Sequence, residues 1–184
     1  MGSRSADEAQ SSCTDLLQKA NSAQSSVESA LVTVSGAENP AIDNLRFIQI
    51  RLQQFAFHSG GLLQLLEEAG SLSQKLLDAV VDVCDPCNDA MDKIVTQLEK
   101  IEPEVGVADS RIDLDVLSQY EDLIAAGSKA VIFLAQLTSI DAEEEQESKL
   151  DNPEAKQLFD AAKEASRNVL SNRKSVITGE HTQP

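Results

Sequence analysis

The stretch Ala79-Val80-Val81-Asp82-Val83-Cys84-Asp85-Pro86-Cys87-Asn88-Asp89-Ala90-Met91 decides the fold, because it admits two readings. As a β-branched strand running into Cys-x-x-Cys and then a helix, it has the order of a thioredoxin-like redox site. As a helical stripe, it continues Leu72, Leu76 and Leu77, which precede it at helical rather than alternating spacing. Those leucines favour the helix. Asp85-Pro86 then reads as a boundary. Proline removes a hydrogen bond from a helix interior but fits the first turn, and an aspartate before it can cap free amides. The expectation is one helix ending at Cys84 and another starting at Pro86, with Cys87, Ala90, Met91, Ile94, Val95, Leu98 and Ile101 inward. Glu102-Pro103 ends the second of these, and Glu104 to Arg111 reads as a loop.

Toward the N-terminus, Ala9, Cys13, Leu16, Ala20, Ala23, Val27, Ala30 and Val34 recur at alternating spacings of four and three. That is the seam of a helix packed nearly parallel to a neighbour, widened by Leu17 and Leu31. Ser5 with Glu8 has the pattern of a capping box, and Gly36 stands where the helix should stop. A second helix follows from about Ala41, with Ile42, Leu45, Ile48, Leu52 and Phe55 buried and Phe47 and Phe57 adding bulk. Gly60-Gly61 should break or kink it.

Toward the C-terminus, a helix from near Asp113 carries Val116, Leu117, Tyr120, Leu123, Ile124, Gly127, Val131, Leu134 and Leu137 on one stripe. Gly127 on that stripe marks a close helix crossing or a hinge. The acidic run Asp141 to Glu147 reads as an exposed connection. Asn152-Pro153 opens a last helix through Ala155, Leu158, Phe159, Ala162, Ala165, Val169 and Leu170. The fold class is therefore all-α: one bundle of five or six mostly antiparallel helices over residues 1–170, with 171–184 a flexible polar tail.

Composition excludes whole function classes. The chain has 184 residues, 31 acidic and 15 basic, for a formal net charge of −16. Such a surface repels phosphate backbones, so no nucleic acid is expected as a partner. No apolar run approaches the ~20 residues that span a bilayer, and acidic charge opposes anionic lipid, so no membrane partner is expected. The opening Met1-Gly2-Ser3-Arg4 lacks the apolar core of a secretory signal, and three cysteines fit a reducing compartment, so the expected location is cytoplasmic.

Candidate chemistry is sparse. Cys84 and Cys87, placed at a helix N-terminus, would gain thiolate character and support thiol-redox chemistry; the plainer alternative is two small buried hydrophobes. One such pair supplies two zinc ligands where structural zinc needs four. His58 and His181 are the only imidazoles, and His58 beside Phe57 reads as a partly buried helix-end residue. Asp109, Asp113 and Asp115 start like a calcium loop, but Leu114 and Tyr120 occupy positions that require Gly and Glu. No nucleophile elbow or phosphate-binding Gly loop is present.

Two stretches carry a family resemblance. Asn44-Leu45-Arg46-Phe47-Ile48 through Leu52, followed by Leu62-Leu63-Gln64-Leu65-Leu66, is one. Cys87-Asn88-Asp89-Ala90-Met91-Asp92-Lys93-Ile94 through Leu98-Glu99-Lys100-Ile101 is the other. Together they resemble the helical N-terminal domains of fungal NLR-like (STAND) proteins of the HeLo-like group. The resemblance implies a signalling or self-association module. Those domains often open with an apolar Gly/Ala-rich segment, whereas this chain opens polar, which counts against membrane permeabilisation.

The expectation for function is a non-enzymatic protein-interaction module without cofactor or metal. Its partner would be a basic or amphipathic helical protein, or another copy of the chain in a homo-oligomer. Phe55, Phe57 and Leu62, around the expected Gly60-Gly61 break, are the candidate partner-binding residues. A thiol-redox protein using Cys84 and Cys87 is one alternative. A membrane-acting or vinculin-like adhesion bundle is another.

Overall fold

Six helices take up 83% of the described residues of the computed structural model, which cover 3–34, 40–101 and 111–178. They are α1 (Ala6–Val34), α2 (Ala41–Glu68), α3 (Gln74–Leu98), α4 (Leu114–Thr138), α5 (Glu143–Leu150) and α6 (Pro153–Ser171). The chain is an all-α bundle. α1 packs against α2 and α3, α2 also against α4, and α6 lies across α3 and α4. Among the described elements α2 is thus an edge helix, held by α1 and α4.

Local chemistry sets several helix starts. Glu8 N donates to Ser5 Oγ at 3.1 Å and Ser5 N to Glu8 Oε2 at 2.7 Å, closing the capping box. Asp113 Oδ1 accepts from the amides of Asp115 and Val116, and Asn152 Oδ1 from Glu154. All eight residues of the α1 seam are buried, as are Val116 through Leu137 of the α4 stripe. Gly127 is a close crossing. A Cβ built there would lie 3.0 Å from Phe55 Cε2 and 3.6 Å from Cys87 Sγ, so the missing side chain makes room for the Phe55 ring.

Four expectations need correction. First, α3 runs unbroken through Asp85-Pro86. Its cap is Ser73, whose Oγ accepts from Leu76 N at 3.2 Å. Proline inside a helix costs about 3 kcal/mol. The buried row of Leu76, Val80, Met91 and Ile94 contributes about 2 kcal/mol per residue and is continuous only if the helix is. The carbonyl that loses its donor belongs to exposed Asp82, where water can reach it. Asp85 caps nothing; it accepts from Ser12 Oγ on α1.

Second, α2 runs through Gly60-Gly61. Buried Ser59, Leu62 and Leu66 hold the helical register across the pair. Third, the acidic run forms α5 rather than a bare connection. Glu143, Glu144 and Glu145 are exposed, but Gln146 is fully buried. Its Oε1 accepts from Ser73 N at 2.8 Å, and its Nε2 donates to Ser71 O and Ile140 O. Fourth, residues 172–178 beyond α6 are anchored. β1 (Arg111–Ile112) and β2 (Ile177–Thr178) form a two-residue antiparallel ladder, and Val176 is fully buried. Lys93 Nζ donates to the carbonyls of Leu170 and Asn172, tying the end of α6 to α3. The expected stop at Gly36, the boundary Glu102-Pro103, the loop from Glu104 to Ser110, His181 and the remaining tail lie outside the described residues.

Candidate functional site

The cysteines come together in the core. Cys13, Cys84 and Cys87 are free thiols and fully buried. Because α3 is continuous, Cys84 and Cys87 sit in a helix interior and not at an N-terminus, so no free amides stabilise a thiolate there. Cys84, hydrogen-bonded to Cys13 and desolvated by burial, has its pKa pushed well up. Burial pushes the Cys87 thiol up to about 11, against a smaller lowering by the Ser166 hydroxyl 3.7 Å away. Thiol-disulfide exchange needs an accessible thiolate. Cys13 Sγ donates to Ser59 O at 3.4 Å, and Asn88 Nδ2 on the same helix as Cys84 and Cys87 donates to Ser12 O at 3.0 Å.

Among the described residues, no group of three or more His, Cys, Asp and Glu is placed to hold a metal ion. Asp113 is spent on the α4 cap, and Asp115 faces Lys174 at 3.8 Å. A shallow groove of about 250 Å³ lies between α3, α5 and α6. Lys75, Asp78, Asp82, Asp151 and Lys163 line it over Leu150 and Phe159. Lys75 already pairs with Asp151 at 3.0 Å, and the mixed signs give the groove no preferred ligand charge.

The exposed apolar residues make a different pattern. Phe57 is 78% exposed, Ile50 55% and Phe47 43%, and all three belong to α2. Phe55 and Leu62 are fully buried, so of the three sequence candidates only Phe57 reaches the surface. The reason is the unbroken helix. With no kink at Gly60-Gly61, Phe55 and Leu62 stay on the inner stripe with Leu45, Ile48 and Leu52. Phe47 and Phe57 fall on the opposite side and do not add to the core.

That outer side has a period of its own. Phe47, Ile50, Gln54, Phe57 and Gly61 alternate at spacings of three and four, and every one is exposed. This is a second seam, the geometry by which one helix receives another nearly parallel to it. At 100° per residue the five fall within about 80° of arc. Gly61 leaves open space on the seam, with nothing within 4 Å of a built Cβ. Arg46 and Arg51 border the seam on opposite sides. Arg51 stacks over Phe47 at 4.9 Å, and His58 meets the Phe57 ring edge-on at 5.6 Å.

Sequence reading missed Phe47, Ile50, Arg46 and Arg51 as surface residues. The signal was present: from Asn44 to Leu66 the chain contains no Asp or Glu, although 31 of its 184 residues are acidic. The flanking carboxylates come from neighbouring helices. Glu28 on α1 accepts from Gln49 at 3.3 Å, and Glu121 on α4 accepts from Asn44 at 3.1 Å. No described helix is long and apolar enough to cross a membrane. No family model matches the chain, and no curated protein or solved structure matches it either.

Proposed function

We propose that the protein is a non-enzymatic helical-bundle interaction module that docks a helix of a protein partner on the outer face of α2. The observation that carries this reading is the exposed seam of Phe47, Ile50, Gln54, Phe57 and Gly61, set opposite the buried stripe of the same helix. Large side chains exposed singly are ordinary on a protein surface. Aligned on one arc of an edge helix, they lower solubility with no return from folding, and burial against a partner accounts for them. Aromatic anchors of this kind dominate the energetics of protein interfaces.

The signalling role implied by the resemblance to HeLo-like domains is compatible with such a face, as is a cytoplasmic setting. Catalysis has less support. The buried thiols lack the thiolate that redox chemistry requires, and His58 packs against an exposed aromatic ring.

Serine variants test the reading. Phe57→Ser and Ile50→Ser remove apolar surface that the fold does not bury, so the urea midpoint should stay within about 0.5 kcal/mol of wild type. Co-purification of a specific partner from the native host should fall together with them, and should persist in Gln18→Ser on the polar outer face of α1. Partner recovery unaffected by Phe57→Ser contradicts the proposal.

A further inference from the structure

We infer that the occupant of the α2 face is an amphipathic helix whose flanks are acidic, a deeper reading that rests on the docking role proposed above. The seam supplies the shape. Successive spacings of three and four residues from Phe47 to Gly61 fit an α-helix lying almost parallel to α2, in the manner of a two-stranded coiled coil. Phe47 to Phe57 spans about 15 Å at 1.5 Å rise per residue, enough for roughly three turns of the incoming helix. Gly61 lets its backbone come close at one end.

The charges supply the sign. In a coiled-coil arrangement the residues bordering the seam set partner choice through ion pairs with the facing helix. Here the bordering positions include Arg46 and Arg51. Arg46 has a 3.9 Å contact with exposed Asp43 one turn back, and the Arg51 guanidinium lies over Phe47. The net charge of −16 favours a basic partner for the molecule as a whole. Between Asn44 and Leu66 the local charge is reversed, Arg46 and Arg51 standing inside the carboxylates Asp43 and Glu68 at the ends of the face, and screening over ~8–10 Å makes the local groups decide. The same charges disfavour a second copy in parallel register, since Arg46 and Arg51 would each face their own counterpart and the carboxylates of the face, Asp43 and Glu68, stand only at its two ends. An anionic bilayer is disfavoured as well, since the acidic remainder of the surface repels it.

The test uses the full chain and two labelled 21-residue peptides, both with Leu and Ile on a three-four seam. One carries Glu at the bordering positions and the other Lys. Fluorescence anisotropy should show the Glu peptide binding at least ~10-fold more tightly than the Lys peptide. The Arg46→Glu/Arg51→Glu variant should invert that preference, and Phe57→Ser should weaken both peptides. Both arginines border the solvent-facing seam, so the charge-reversed protein should keep its circular dichroism and melting curve. Equal affinity for the two peptides, lost in Phe57→Ser, leaves the docking role standing and overturns the acidic-partner inference. Binding of neither peptide, or binding indifferent to Phe57→Ser, overturns both. Two other outcomes also overturn the inference. One is a chain that dimerises by light scattering through Phe57. The other is a chain that binds phosphatidylserine vesicles through Arg46 and Arg51 in preference to the Glu peptide.

Discussion

Two glycines of similar sequence context have opposite meanings in space. Gly127 sits on a buried stripe beneath the fully buried Phe55 ring, which is walled in and cannot yield. Gly127→Ala gains helix propensity of about 1 kcal/mol but forces a Cβ to 3.0 Å from that ring. A net loss of about 1 kcal/mol or more is expected in urea unfolding. Gly61→Ala meets open space and should stabilise the chain by up to about 1 kcal/mol. The periodicity placed Gly127 on the buried stripe; only the three-dimensional crossing could name Phe55 as the reason.

The buried thiols give a pH dependence of definite sign. Burial pushes the Cys87 thiol up to about 11 in the fold, from about 9.0 for an unburied thiol. Below pH 9 both folded and unfolded forms keep the proton, and the site adds no slope. Above it the unfolded chain ionises first, so stability falls as pH rises, by about 2 kcal/mol from this site at pH 11. Cys84 and Tyr120, both raised by their surroundings, act in the same direction. Cys87→Ala should flatten the fall of the urea midpoint between pH 9 and 11. Native protein at pH 8 should leave a thiol reagent unconsumed until denaturant is added.

At the scale of elements, α3 shows how tertiary burial outranks a local break signal. Asp85-Pro86 carries every mark of a helix start, and the sequence reading followed it. What it could not weigh was a single buried row from Leu76 to Leu98 that serves α1, α4 and α6 at once. Pro86→Ala restores the amide that Asp82 O lacks. The protein should gain about 1–2 kcal/mol, less than the full proline cost because the unfolded chain gains freedom as well. A variant less stable than wild type would mean that the proline serves packing rather than interrupting it.

Other elements divide along the same line. Caps at Ser5, Asp113 and Asn152 and the stripes of α1 and α4 were legible, because cap chemistry and a clean 3.6-residue period depend on neighbours in sequence. α5 and the β1–β2 ladder were not. Gln146 is a buried hub only because the α2–α3 turn and Ile140 converge on it, and Val176 is core only because the chain folds back. Such contacts are long-range and leave no local period.

For the whole molecule, two opposite faces of one edge helix hold the account together. The inner face of α2 joins the bundle through Leu45, Ile48, Leu52, Phe55 and Leu62. Its outer face repeats the spacing of a packed helix with nothing from the described chain covering Phe57 or Ile50. Of this seam only Phe57 was legible in the sequence as a surface anchor, while Phe55 and Leu62 were drawn outward by a helix break that packing does not permit. The most direct measurement is photo-crosslinking in the native host with benzoylphenylalanine at position 57, against the same probe at Gln18 on α1. The account predicts a discrete adduct with one partner from position 57, none from position 18, and loss of the adduct when Ile50 is also changed to Ser. No adduct from 57, or the same adducts from both positions, would contradict it.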